Sequence, residues 1–396
     1  MTLLVGPRGA EAARLLPGVD EVIVWACPWI DATPPPAERG HVENLIATVA
    51  ARRLDDAVIL TSFHQSPLPL VLLLRLAGLP QITAASEDYP GSLLDVRHHL
   101  PAADTHEARR ALSTAAAAGY PPPPGDGGEL ALRGPLPDPS VLTGPAGYVA
   151  LHPGTSVPAR AWSPSRYAET ARLLLGAGWR VVVTGAPDET GLTAAVAAAA
   201  PGASDLGGRT GLAGLAGVYE RAAAVVVGNT GPAHLAAAVG APVVSLFAPT
   251  VPAAPWAPPA RRLRLLGDQT VPCAGCRARV CPVPGHPLRH GRRGAGGARR
   301  RHRPRPPVHR LRDAVGPAVR PGLPSPVGAA ARPSSPRRRV VRAPRRPACP
   351  HHRPGPGRPH PRRRPHRGRR PAAAVTTAVL AGADRDGGGP VFSGPR

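Results

Sequence analysis

The sequence predicts an α/β protein with two successive domains, each built on a parallel sheet. Three observations carry this. Short apolar runs of strand length alternate with stretches of helical period. A Pro- and Gly-rich stretch, Gly119 to Gly147 ("GYPPPPGDGGELALRGPLPDPSVLTGPAG"), separates two such series. The charge is also uneven. The 396 residues carry 49 Lys plus Arg, all of them Arg, against 25 Asp plus Glu, a net +24. From Leu288 to Arg396 there are 28 Arg and three acids, which leaves 21 Arg and 22 acids before them. Residues 1–287 are therefore near neutral, as an ordinary globular segment is.

The first series opens on a buried strand, "TLLVG" from Thr2 to Gly6, followed by a helix, "PRGAEAARLLPG", closed by Pro17-Gly18. A strand "VDEVIVW", a helix "HVENLIATVAARR" and a strand "DAVILTSF" follow. "PLPLVLLLRLAGLP" (Pro67 to Pro80) is short of a membrane span and carries Arg75, so it reads as a buried helix. "QITAAS" is the next strand. The second series runs from the strand "YVALHPG" to a helix "SPSRYAETARLLLGAG", with Ser163 as N-cap, Pro164 at the first helical position and Gly176 and Gly178 near its end. Then come a strand "WRVVVTGAP", helices "ETGLTAAVAAAAPG" and "LAGLAGVYERA", and an apolar strand ending at Gly228. The domains expected are 1–120, a linker 121–147, a second domain 148–287 and a tail 288–396.

The tail has no Glu, one aromatic residue (Phe392) and long runs of Arg, Pro, His and Gly. Such a segment buries too little apolar area to offset backbone entropy, so it is expected to be disordered. Two origins fit it, a shifted reading frame in a GC-rich gene and a genuine Arg-rich arm that binds nucleic acid non-specifically. Neither a secretory leader nor a disulfide framework is read from the sequence, which points to a reducing cytoplasm.

The chemistry concentrates at "VVVGNTGPAHLAAA". A strand that ends in Gly-Asn-Thr-Gly-Pro and opens a helix aims backbone N–H groups and the helix dipole at one spot, which favours a phosphate. Gly231 lets a ligand approach the backbone, Asn229 and Thr230 offer side-chain partners, and His234 lies in the first turn. A tight turn with a histidine satisfied at a helix start is the bland reading of the same residues.

This stretch, continuing through "VGAPVVSLFAPT" to a "WAP", resembles glycosyltransferase family 9, the ADP-heptose:lipopolysaccharide heptosyltransferases and their relatives. "LHPGTSVPARAWSPSRYAE", "VVVTGAPDE" and "CAGCRARVCPVPGHP" are similar to that family in order and spacing, as is the first-half stretch "ILTSFHQSPLPLVLLLRLAGLPQITAASEDYPGSLLDVRHH". The resemblance covers roughly residues 1–287. It implies the GT-B fold, two Rossmann-like domains facing across a cleft, and inverting transfer without a metal or other cofactor. It implies a nucleotide-sugar donor, ADP-heptose-like, held by the second domain, and a glycan or lipid-linked acceptor held by the first. The protein would sit in the cytoplasm, peripheral to the inner membrane face. A nucleotide-sugar 2-epimerase of the same fold is the neighbouring alternative, and nucleic-acid binding through the tail the remote one.

Thr230, Gly231 and His234 match the family's phosphate-binding turn, where Asn229 stands in place of a frequent Asp. Arg160 matches a basic position placed against the diphosphate, and suits it as a bidentate donor. Thr155 and Ser156 lie at a strand's carboxyl end, where ligands of α/β sheets sit. Trp162 reads as packing. Asp188 or Glu189 could accept from a ribose hydroxyl, or serve as acids favoured by a helix N-terminus. His64, Gln65, Glu87 and Asp88 follow first-domain strands and could contact the acceptor, turn and capping chemistry being the bland alternative. Cys273, Cys276 and Cys281, with His286, have the spacing of a weak structural-zinc set. The resemblance also implies a first strand and a Gly-Asp loop upstream of Met1, whose Asp would be the base, and closing helices after residue 287. The sequence shows neither, so the catalytic residue is left unassigned and the activity is expected to be impaired.

Overall fold

The computed structural model describes residues 1–30, 34–62 and 65–281, and the backbone of 377–381. The first series folds as β1 (Thr2–Val5), α1 (Ala10–Arg14), β2 (Glu21–Val24), α2 (Arg39–Ala50), β3 (Asp56–Leu60), α3 (Leu68–Leu76), β4 (Gln81–Ala85), β5 (Val96–His98) and α4 (Glu107–Ala117). The second comprises α5 (Ser140–Thr143), β6 (Tyr148–His152), α6 (Pro164–Gly176), β7 (Val181–Gly185), α7 (Thr190–Ala198), β8 (Ser204–Gly207), α8 (Leu212–Glu220), β9 (Ala222–Gly228), α9 (Gly231–Ala238), β10 (Val243–Leu246), α10 (Ala253–Trp256) and β11 (Leu263–Leu266). The last strand is β12 (Thr377–Ala381).

Two six-stranded sheets result, ordered β2-β1-β12-β3-β4-β5 and β11-β10-β9-β6-β7-β8. The second is parallel throughout. Its central strands are buried on both faces, which is why β6, β7 and β9 read as unbroken apolar runs rather than alternating ones. Val149, Leu151, Val183 and Val226 pack on one face with Tyr167, and Tyr148, Ala150, Val225 and Val227 on the other with Tyr219. In the first sheet Ile59 and Ile82 meet Leu70, Val71 and Leu74 of α3 in one cluster. The apolar run from Pro67 is thus a core helix, as expected. Among the described residues no helix is long and apolar enough to cross a membrane.

Several local expectations are revised. "PRGAEAARLLPG" splits into a 3-10 turn at Pro7–Gly9 and a five-residue α1. Ser163 is the N-cap of α6, as expected, in extended conformation, but its hydroxyl meets Ser165 Oγ at 2.7 Å rather than a backbone N–H of the helix. The stretch from Gly119 to Gly147 contains the short α5 and is pinned to both halves. Arg133 N–H donates to Leu15 O at 2.7 Å, and α8 lies so close to Pro137 that a Cβ on Gly217 would come within 2.2 Å of its carbonyl oxygen. Two further bonds join the halves. Glu11 of α1 accepts from Leu212 N–H and so caps α8, and His106 Nε2 donates to Ala257 O at 2.7 Å.

Five residues of the segment expected to be unfolded form β12. It lies antiparallel between β1 and β3, with Val379 opposite both Leu3 and Val58. The rest of 288–396, and the disorder expected of it, falls outside the described residues. A strand in this slot satisfies facing backbone groups on β1 and β3 that would otherwise form two open edges. Replacing Val379 with Pro removes one ladder donor. It is expected to lower unfolding free energy by about 1 kcal/mol or more, read from urea denaturation with an unchanged slope.

Candidate active site

In the second sheet β7, β6, β9 and β10 are consecutive and parallel, so their carboxyl ends open on one edge. The loops leaving that edge carry the residues expected to hold a donor. After β9, Asn229 is buried and Thr230 is the N-cap of α9, in extended conformation (φ −146°, ψ 171°). Its hydroxyl does not cap the helix, and Thr230 Oγ1 is buried without a partner among the described residues. A Cβ on Gly231 would meet nothing within 4 Å, so the approach to the helix N-terminus is open. Burial, and secondarily His106, lowers the pKa of His234 and keeps its ring neutral near pH 7.

After β6, Thr155 Oγ1 accepts weakly from Val157 N–H at 3.4 Å, and Ser156 is exposed. Arg160 ends a 3-10 turn, Pro158–Arg160, and is partly buried. Burial lowers its pKa, and Arg279 adds repulsion to that. Arg279 arrives there because its carbonyl accepts from Ala159 N–H at 2.9 Å. The same loop is tied to the end of β10, with Gly275 N–H bonded to Pro249 O and Arg277 N–H to Thr250 O, each at 2.7 Å. Thr250 is buried and its Oγ1, like that of Thr230, has no partner among the described residues. Two neighbouring guanidiniums and unsatisfied hydroxyls along one sheet edge suit a multiply charged anion.

After β7, Asp188 is exposed, whereas Glu189 is engaged locally. Its Oε2 accepts from Ala186 N–H at 2.9 Å, and its carboxylate fills the space over Gly154, where a Cβ would come within 2.2 Å of it. Trp162 stacks edge-on against Tyr167, with ring centroids 5.1 Å apart, and packs on the core.

A cavity of about 800 Å³ lies where the two halves meet. Gln65, Glu87 and Asp88 line it together. Gln65 Oε1 accepts from Ser62 N–H at 2.9 Å, and the Glu87 and Asp88 side chains are exposed. His64 lies outside the described residues. The sequence reading missed Arg97, Glu107 and Arg110 on the same wall, and Trp256 and Arg277 on the side of the second half. Arg97 was within reach, since it stands in the quoted "DVRHH". Glu107 was not, because the sequence reading assigned no element between the strand "QITAAS" and the stretch beginning at Gly119, and α4 (Glu107–Ala117) falls in that gap. Of the cysteines, Cys276 is exposed, and burial raises the Cys273 thiol pKa, with Cys276 and Cys281 adding to it. Among the described residues no three His, Cys, Asp or Glu side chains are grouped to hold a metal, and His286 lies outside them.

The Asp expected as base upstream of Met1 likewise lies outside the described residues. Met1 itself is engaged in the first sheet rather than in the cavity. Its ammonium pairs with Asp20, which lowers the pKa of that carboxyl, and its side chain packs against the cluster of Leu3, Val5 and Val19. Carboxylates that do face the cavity are Glu87, Asp88 and Glu107, and the last of these was not among the candidates read from the sequence.

Comparison with known proteins bears on this arrangement. The description "Glycosyltransferase family 9 (heptosyltransferase)" matches residues 71–286, more than half of the chain, from within α3 to the end of the cysteine loop. The chain belongs to glycosyltransferase family 9. It is 34% identical over 137 residues to lipopolysaccharide heptosyltransferase 1 of Pseudomonas aeruginosa, a match covering 34% of this chain and 38% of that protein. The chain therefore spans less than half the length of that relative. Two solved structures share its fold. One is the family 9 enzyme of Veillonella parvula, at 18% identity and a TM-score of 0.55, covering 68% of this chain and 77% of that one. The other is ADP-heptose lipopolysaccharide heptosyltransferase II of E. coli, at 20% and 0.54, covering 67% and 80%. Family 9 thus accounts for the two Rossmann-like domains and the cleft between them.

Proposed function

We propose that this chain transfers a sugar, with inversion, from a nucleotide-activated donor resembling ADP-heptose to a glycan or lipid-linked acceptor. The observation that carries the reading is the open α9 N-terminus with its buried, unpartnered Thr230 hydroxyl, on the same sheet edge as Arg160. There the diphosphate would accept from the α9 backbone N–H groups, Thr230, neutral His234 and Arg160. In an inverting displacement the acceptor oxygen attacks the anomeric carbon as the nucleoside diphosphate leaves, and these donors stabilise the charge that grows on the leaving group. An amide at Asn229 repels that charge less than a carboxylate would. Thr155, Ser156 and exposed Asp188 are left for the rest of the donor, and Gln65, Glu87 and Asp88 for the acceptor. A cytoplasmic enzyme working at the membrane face fits this reading.

Isothermal calorimetry with ADP, UDP and GDP tests it. At least one of the three is expected to bind in the millimolar range or tighter, and Thr230→Val is expected to weaken binding about 10- to 100-fold, as loss of one hydrogen bond to a charged group would. No binding of any of the three by a folded sample refutes the reading.

A further inference from the structure

A polar side chain buried without a partner costs a fold stability, so its partner is to be sought outside the chain. Among the described residues two such hydroxyls lie beyond the carboxyl ends of the second sheet, Thr230 Oγ1 after β9 and Thr250 Oγ1 after β10. Ser245 Oγ is also unpartnered, but it lies within β10, before the sheet edge, and is fully enclosed. Thr230 falls to the diphosphate in the reading above. Thr250 is left without a role.

Thr250 is 7% exposed, and its surroundings are fixed. Its carbonyl accepts from Arg277 N–H, and that of Pro249 from Gly275 N–H, each at 2.7 Å, so the cysteine loop is clamped to this turn. Arg277 holds φ 56° there, a left-handed conformation that an L side chain keeps only where its surroundings impose it. The turn stands between the two parts of the site. On one side is β9, paired with β10 so that Gly228 is opposite Leu246, and the α9 turn that follows it. On the other is the cavity, which Arg277 lines together with Pro252 and Trp256, both shortly after Thr250 in sequence. In a donor the sugar is bonded to the diphosphate and must meet the acceptor, so it occupies the space between these two parts. The Thr250 hydroxyl has a proton to give and lone pairs to receive, which suits a sugar hydroxyl better than a phosphate oxygen that only accepts.

We propose that Thr250 is a specificity-determining residue for the donor, its hydroxyl pairing with a hydroxyl of the transferred sugar. The inference rests on the glycosyltransferase reading above. A site that keeps a polar group unpaired until its ligand arrives rejects an analogue that cannot pair it. In the unliganded chain the same hydroxyl is a cost, which its removal relieves.

The test is calorimetry on the full chain without acceptor, with ADP, UDP and GDP and with ADP-heptose, UDP-glucose and GDP-mannose. For the nucleotide that binds, Thr250→Val is expected to leave affinity within about twofold and to weaken its sugar derivative about 3- to 10-fold, as loss of one hydrogen bond between neutral groups would. Thr250→Ser keeps the hydroxyl and should stay within about twofold of the wild type for both ligands. The urea midpoint of Thr250→Val should equal or exceed that of the wild type. Equal losses for the nucleotide and its sugar derivative overturn the proposal, as does an unchanged affinity for the sugar derivative or a lowered midpoint in Thr250→Val. A wild type that binds the nucleotide but not its sugar derivative also overturns it and leaves the nucleotide site standing. A wild type that binds no nucleotide refutes that site, and this proposal with it.

Discussion

Lowering the pH from 6.5 toward 4 is expected to remove about 3 kcal/mol of stability from the second domain through His152 alone. His152 ends β6 and is 4% exposed. Its Nδ1 bonds Thr184 Oγ1 at 3.0 Å, and that hydroxyl also lies 3.4 Å from Tyr219 OH. Glu189 Oε2 is 3.8 Å from Nε2, beyond hydrogen-bond range, so the desolvation of a charged ring outweighs the nearby carboxylate. Burial lowers the pKa from 6.5 to about 4. Below pH 6.5 the unfolded chain therefore binds a proton that the folded one refuses. The stability is fully present above the unfolded pKa, and is lost as pH falls toward the folded one. Urea midpoints measured at half-unit steps check this, with His152→Gln as the variant in which the slope between pH 6.5 and 4 should flatten. An equal slope in both proteins assigns the acid sensitivity to other groups.

His152 also shows what the sequence made legible and what it did not. "YVALHPG" is legible as a strand because five consecutive residues are buried on both faces, which forces an apolar run. The same physics exposes β7, β9 and α3. Edge strands escape it. β5 ("VRH") and β8 ("SDLG") are half-covered and polar, and β11 ("LRLL") alternates too briefly to stand out. The donor turn was legible because its chemistry is local, a strand end and a helix start adjacent in sequence. The cavity was legible only in part. Gln65, Glu87 and Asp88 sit directly after first-domain strands, where a sheet edge places them. Glu107 and Arg277 reach the same space through α4 and through a loop fastened to Pro249 and Thr250, and no local pattern announces either. β12 is the extreme case. Its partners, Leu3 and Val58, are more than three hundred residues away in sequence.

Replacing Arg160 is expected to weaken nucleoside diphosphate binding by about 10- to 100-fold, which corresponds to a charge-assisted hydrogen bond of roughly 1.5–3 kcal/mol. The direction follows from the unliganded electrostatics. Arg160 is partly buried, and its charged form is disfavoured first by desolvation and then by Arg279. A protein does not gain stability by holding two guanidiniums together in a low-dielectric place, so removing one should not harm the apo fold. An arriving diphosphate reverses the sign, since it neutralises both cations and accepts from both forks. Arg160→Ala is thus expected to have an unfolding midpoint equal to or above that of the wild type, while calorimetry shows weaker ADP, UDP or GDP binding and a shallower salt dependence. Arg160→Lys should recover only part of the affinity, because an ammonium keeps the charge without the planar pair of donors. Unchanged affinity in the alanine variant would place the diphosphate away from the β6 loop and leave the α9 turn to hold it alone. A fall in stability comparable to the fall in affinity would instead make Arg160 a structural residue.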